Sequence, residues 1–181
     1  LVYSNGVLQS GNGTIRSEAL SLEGQKFERF EIKANVEEPG MVAGSAAIVL
    51  DPNAKIDGHF AWDLEKGLYR GKIDGIADQG LEGKLGNLLR GRPASQLFPG
   101  KTKLSWSGQG NLKDGTRKGS LALDAEGIHL AEGTEPLALK MSGRYSSDSA
   151  SFPGFRITSR PLQLHGSIEW ENSRLFLREL R

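Results

Sequence analysis

Three histidines, His59, His129 and His165, are the side chains best suited to acid/base or metal chemistry near neutral pH. They stand far apart, with no second histidine at ligand spacing. His59 and His165 fall on polar positions of alternating runs, so solvated or structural roles are expected. Gly67 to Lys72 (GLYRGK) approaches a phosphate loop, but only three residues separate its glycines where four are needed, and Ile73 replaces the required Ser or Thr. Gly11-Asn12-Gly13 lacks the third glycine of a dinucleotide fingerprint, and Asn12-Gly13-Thr14 is a glycosylation sequon of a kind common by chance. Asp51, Asn53 and Asp57 before Gly58 hint at a calcium loop, yet Lys55 sits among them and opposes a cation, and Pro52 favours a turn. Glu126, Glu132 and Glu135 offer carboxylates, but no spacing selects an acid/base pair. Trp62, Trp106 and Trp170 could stack bases or sugars; their apolar parity points instead to a buried lining. No zincin helix or nucleophile elbow is present.

The absence of cysteine removes disulfides, thiolate metal sites and a cysteine nucleophile. The expectation is a noncatalytic protein with neither metal nor cofactor. With 23 basic and 22 acidic residues in 181, the net charge of +1 supplies no field to recruit nucleic acid, and no nucleic-acid partner is expected. At 37% hydrophobic and 25% charged, the composition is that of a soluble globular chain. No apolar run approaches the roughly 20 residues of a membrane-spanning helix. The chain opens Leu1-Val2-Tyr3 without a methionine, which reads as a piece of something longer whose export signal or anchor lies outside it.

The elements that must position these residues follow period two, the mark of one-sided strands. Phe30, Ile32, Ala34 and Val36 alternate with polar residues, as do Ile56, Gly58, Phe60, Trp62 and Leu64. Leu104, Trp106, Gly108, Gly110 and Leu112 repeat the pattern. It returns in Leu121, Leu123 and Ala125; in Leu137, Leu139 and Met141; in Leu162, Leu164, Gly166, Ile168 and Trp170; and in Leu175 and Leu177. Acidic residue plus glycine pairs at Glu23-Gly24, Asp114-Gly115, Glu126-Gly127 and Glu132-Gly133 predict tight turns, hence an antiparallel meander. Glycine makes up 24 of 181 residues, and Gly58, Gly108, Gly110 and Gly166 fall on the apolar parity, which favours a curved sheet. One segment breaks the period: Leu81, Leu85, Leu88 and Leu89 predict a short helix between Gly80 and Arg92, within a connector over 80–100. No linker divides the chain, so residues 1–181 are expected to form a single β domain.

From Trp62 to Leu180 the sequence resembles the AsmA-like superfamily of bacterial envelope proteins, most closely its TamB branch (translocation and assembly module inner-membrane component). The resemblance rests on Trp62–Ile76 (WDLEKGLYRGKIDGI), the connector ending Gly91-Arg92-Pro93-Ala94-Ser95, and Leu104–Leu112 (LSWSGQGNL). It continues in Gly119–Asp124 (GSLALD), Pro136–Leu139 (PLAL), Leu162–Trp170 (LQLHGSIEW) and Leu175–Leu180 (LFLREL). It implies an all-β fold in which a long, mainly antiparallel sheet curves into a taco-like apolar groove. It further implies a place in the periplasm of a Gram-negative-type bacterium, within a protein anchored to the inner membrane. The implied roles are phospholipid movement between the membranes and outer-membrane biogenesis, with an outer-membrane barrel partner.

The expected groove, taking phospholipid acyl chains as its ligand, comprises Phe30, Ile32, Ile56, Phe60, Trp62, Leu104, Trp106 and Leu121, with Leu123, Leu137, Leu139, Leu162, Leu164, Ile168 and Trp170. Alternation alone is equally consistent with a closed sandwich or barrel in which these residues meet one another. A β-augmentation scaffold for outer-membrane protein assembly is the alternative function, and a carbohydrate-active enzyme on a β-sandwich comes third.

Overall fold

The computed structural model describes residues 2–4, 6–22, 25–78, 100–128, 135–160 and 162–181. Within them every helix or strand is a strand: β1 (Val2–Ser4), β2 (Val7–Ser10), β3 (Asn12–Leu22), β4 (Gln25–Glu38), β5 (Met41–Asp51), β6 (Ala54–Asp63) and β7 (Leu68–Ala77). The second half holds β8 (Thr102–Asn111), β9 (Arg117–Ile128), β10 (Leu137–Ser146), β11 (Ser149–Thr158), β12 (Gln163–Glu171) and β13 (Arg174–Arg178). The helix expected between Gly80 and Arg92, and the connector as far as residue 99, lie outside the described residues.

Strands β3 to β13 form one 11-stranded antiparallel sheet in strict sequence order, and β1 and β2 pair separately. The small hairpin is fastened to the sheet by a backbone bond from Gly40 N–H to the Leu8 carbonyl, and Gly11, which links β2 to β3, accepts from Val36 N–H, each 2.8 Å. The sheet is curved and open, with β3 and β13 as its edges, so the closed-barrel alternative is excluded.

Local chemistry explains the meander. Pro39-Gly40 turns β4 into β5 with Gly40 at φ 77°, and Asn172-Ser173 joins β12 to β13 with both residues at positive φ. A tight hairpin needs that left-handed backbone to match strand twist. At Asp114-Gly115 the Asp114 carboxylate accepts hydrogen bonds from the Thr116 backbone N–H (2.8 Å) and hydroxyl (2.6 Å). Glu126-Gly127, read as a turn, proves to lie inside β9. Gly127 takes φ 70° where the register jumps between Leu137↔Ile128 and Leu139↔Ala125, so it forms a bulge. The pairs Glu23-Gly24 and Glu132-Gly133 lie outside the described residues. Leu64 and Leu112, assigned to strands by their parity, fall in the turns just after β6 and β8.

Burial gathers at one end of the sheet, where Phe27, Leu50, Ala54 and Ala77 pack with Ile48 and Ile56. Among the described residues no large side chain is fully buried. The chain exposes 12056 Å², against about 8600 Å² expected for a compact monomer of its 19.6 kDa. A single layer explains the excess, because one face of the sheet has no second layer of strands or helices among the described residues.

Candidate functional site

Cross-strand register fixes which residues share a face, since directly paired residues point the same way. One row runs Phe30–Ile48–Ile56–Gly75–Leu104–Leu123–Met141–Phe155. The next runs Ile32–Ala46–Gly58–Ile73–Trp106–Leu121–Gly143. Beyond it come Gly44–Phe60–Gly71–Gly108–Gly119–Tyr145–Ala150–Trp170 and then Trp62–Tyr69–Gly110–Arg117. Leu139 and Leu164 join the same face through Ile157, and Ile168 through strand parity with Trp170. Leu137 returns to it past the Gly127 bulge.

Fourteen of the fifteen residues expected to line a groove therefore share one face. The exception is Leu162, which precedes β12 in a turn where its carbonyl accepts from Ser159 N–H at 2.7 Å. Ile48, Tyr69, Ile73, Tyr145 and Phe155 belong to the same lining and were not in the expected set. Tyr69 and Ile73 carry a usable signal, the alternation of Tyr69-Arg70-Gly71-Lys72-Ile73.

The lining is built from aromatic rings lying across glycines of neighbouring strands. A Cβ at Gly71 would stand 3.2 Å from the Trp106 ring, and one at Gly108 only 2.6 Å from the Tyr145 hydroxyl. With those Cβ atoms absent, Trp106 and Tyr145 reach each other across β9, and the Trp106 indole N–H donates to the Tyr145 hydroxyl at 2.6 Å. At Gly44 and Gly119 a Cβ would fall 2.1 and 2.3 Å from the carbonyl oxygens of Lys33 and Ser107 on the adjacent strands. Those backbones rise on the apolar side, so the sheet bends toward that face. The rings form a floor, and Trp62, Ile73 and Leu104 remain 42%, 38% and 36% exposed. Phe60, Trp62, Tyr69, Ile73 and Trp106 border a cavity of about 310 Å³.

The other face is polar, and its side chains pair with one another along and across the strands. Asp74 accepts from the Ser105 hydroxyl at 2.7 Å and pairs with Lys72 at 2.7 Å. Lys140 meets Asp124 at 3.0 Å, Arg178 meets Glu169 at 2.8 Å, and Ser107 bonds Ser120 at 2.8 Å. His59 and His165 lie on this face, whereas His129 is outside the described residues. A larger depression of about 800 Å³ opens here beside Lys33, His59, Arg70 and Lys72, whose hydrated heads disfavour an apolar ligand. Glu31 sits between Lys33 (2.6 Å) and Arg29 (2.5 Å) on its own strand. Hydrogen bonds from Lys33 first and Arg29 second hold its carboxyl down to about 2. Asp74 is lowered by Lys72 and then Ser105, and Asp63 by the Lys66 backbone N–H.

The imagined calcium ligands are split between a turn and a strand: Asp51 accepts from Asn53 N–H at 2.6 Å at the turn, whereas Asp57 lies in β6 and faces Lys55 at 3.9 Å. Among the described residues no cluster of His, Asp and Glu is arranged to hold a metal ion. Gly67, first residue of the near phosphate loop, is a hairpin residue at φ 74°, and Leu68 to Lys72 continue as β7. No protein-family model, curated protein or solved structure matches the chain.

Proposed function

We propose that this chain is a noncatalytic lipid-binding segment whose apolar face receives phospholipid acyl chains. The observation that carries the reading is a one-layer sheet presenting a continuous apolar face with half-exposed Trp62, Ile73 and Leu104. Apolar area left in water is a standing cost of about 25 cal/mol per Å² that an acyl chain would relieve. Each methylene covered adds about 0.8 kcal/mol before ordering costs. With the resemblance to the AsmA-like superfamily, the reading extends to phospholipid transport between inner and outer membranes, in a periplasmic region of an inner-membrane-anchored protein. An outer-membrane barrel is the implied partner. Organic extraction of the purified chain followed by mass spectrometry tests the core of this reading. Stoichiometric phospholipid is expected, and lipid-free protein that also fails to take up added lipid overturns it.

A second reading is favoured by the open edges. β3 is an 11-residue edge strand whose outer backbone groups have no strand partner among the described residues, the feature β-augmentation needs. Lipid-free protein that captures β-rich outer-membrane peptides would make this the better account.

A further inference from the structure

The depression of about 800 Å³ on the polar face is bordered by two adjacent cross-strand rows of β3 to β7. One row runs Thr14–Lys33–Ser45–His59–Lys72, and the next runs Asn12–Asn35–Ala43–Ala61–Arg70. Both rows share this face, because directly paired residues point the same way and the rows stand two residues apart along each strand. Neither row holds an aromatic residue, and the Phe60 ring lies across Gly44 on the opposite face. Elsewhere on the polar face neighbouring side chains bond one another, as in Ser105 with Asp74, Ser107 with Ser120 and Lys140 with Asp124. Here the side chains of Asn12, Thr14, Asn35, Ser45, His59 and Arg70 make no hydrogen bond or ion pair among the described residues. Lys33 and Lys72 reach along their own strands to Glu31 (2.6 Å) and Asp74 (2.7 Å). Exposed pairs of this kind are weak and can be shared with an incoming anion. Among the described residues Glu37 is the one carboxylate that borders the depression. Ala43 and Ala61 supply a small apolar floor between Asn35 and Arg70.

We propose that this depression binds a phosphorylated cyclic polyol, a sugar or inositol phosphate, with its phosphate among Arg70, Lys72 and His59 and its hydroxyls toward Ser45 and Asn35. Arg70 and Lys72 are two residues apart on β7, and His59 is the direct partner of Lys72. Neighbouring positions of this group are therefore about 5–7 Å apart, close enough for one phosphate to meet all three heads. Ser45 on β5 and Asn35 on β4 begin one and two strands farther across, about 5 and 10 Å away, where a ring attached to that phosphate presents its hydroxyls. Amide and hydroxyl side chains both donate and accept, as a polyol does. Thr14 and Asn12 extend the same two rows onto β3. The cations select an anion, the unbonded amides and hydroxyls select a polyol beside it, and with no aromatic ring in either row a nucleobase has nothing to stack on. Two sources carry this group, a free polyol phosphate and the headgroup of a phosphoinositol lipid. The site lies across the sheet from the apolar lining and does not depend on that face taking lipid.

The test titrates the full 181-residue chain with inositol monophosphate, inositol and inorganic phosphate by calorimetry. Inositol monophosphate is expected to bind at least about fivefold tighter than either fragment at low ionic strength, because it alone engages both ends, and to weaken in high salt. Arg70→Gln should weaken inositol monophosphate and inorganic phosphate alike, by about fivefold. Asn35→Ala should weaken inositol monophosphate about threefold and leave inorganic phosphate unchanged. Both side chains are exposed and unbonded, and circular dichroism checks that the variants keep the fold. Sedimentation with mixed phosphatidylcholine and phosphatidylinositol vesicles, against phosphatidylcholine alone, separates the sources. Arg70-dependent retention on the mixed vesicles assigns the lipid headgroup, and inositol monophosphate binding without such retention assigns the free ligand. Inorganic phosphate binding as tightly as inositol monophosphate would make this a free-anion site and overturn the polyol. An inositol monophosphate affinity unchanged by Arg70→Gln overturns the location. If neither inositol monophosphate nor the mixed vesicles bind, the site is overturned, and the apolar-face reading keeps its own test by lipid extraction.

Discussion

Glu31 shows how single residues hold the polar face. Its carboxyl is held at about 2 by Lys33 and Arg29 on the same side of β4, below the ordinary value of about 4.3. The native state therefore binds this proton less readily than the unfolded chain. Its stabilisation is complete above the ordinary carboxylate range and is lost as pH falls from there through 2. Asp63, Asp74 and Asp114 are lowered too and act in the same direction. Thermal melts across pH 7 to 2 should show a flat upper region and a steep acid fall, and Glu31→Gln should make that fall shallower. A Glu31→Gln curve parallel to that of the unaltered chain would show that the Lys33 and Arg29 contacts do not persist in solution. On the apolar face, the bond from Trp106 to Tyr145 makes a separate prediction. Tyr145→Phe leaves the indole N–H unpaired in a half-buried place and should cost about 0.5–1.5 kcal/mol in urea unfolding. No measurable change would mean that water replaces the hydroxyl.

At the scale of elements, the sheet depends on where glycine is placed. Gly119 lies in β9 beneath the Tyr145 ring, and a Cβ there would stand 2.3 Å from the Ser107 carbonyl and 2.7 Å from the Tyr145 hydroxyl. Gly119→Ala must therefore push strands or ring apart, at about 1–3 kcal/mol. Gly13 in β3 has nothing within 4 Å of its Cβ position. Gly13→Ala should be neutral or stabilise by up to about 1 kcal/mol, through the lower entropy of the unfolded chain. Denaturant midpoints that rank the two alternatively would refute the bend at Gly119. The same elements show what was legible in the sequence. β6, β8, β10 and β12 have one polar and one apolar face, so period two revealed them and their shared lining. β5 escaped because Met41-Val42-Ala43-Gly44 through Ala46-Ala47-Ile48-Val49 is apolar or small on both parities and has no contrast to read. β11 escaped because Pro153 interrupts it; the structure accommodates that proline at a bulge, where register shifts against both β10 and β12. Tyr145 was hidden for another reason: its partner Trp106 lies two strands away, and only the glycines between them let the rings meet.

At the scale of the molecule, the choice between a closed core and an open face depends on strands far apart in sequence, which alternation cannot decide. The described sheet ends at β3 and β13 without joining them, so among the described residues the apolar rows meet no opposing layer. This gives a charge on the lining a different consequence from the one it would have in a closed core. Leu104 is 36% exposed, and Leu104→Asp leaves a carboxylate within reach of water, so the fold should survive with a loss of about 1 kcal/mol, as for other half-exposed sites. A short aspartate cannot bend its charge away from a bound chain as lysine would. An acyl chain crossing it must partly strip its water, a cost of several kcal/mol even when incomplete. Affinity for a zwitterionic lysolipid, chosen so that headgroup attraction plays no part, should therefore drop about tenfold or more, each tenfold being about 1.4 kcal/mol. Gln163→Asp places the same charge on the polar face, next to Thr158 in the ladder, and should leave that affinity within about twofold, as expected of a distant solvated site. Both variants need matching circular dichroism and melting curves before titration. If folded Leu104→Asp binds the lysolipid as well as the unaltered chain does, acyl chains do not lie on this face, and the open edge of β3 becomes the place to look for a ligand.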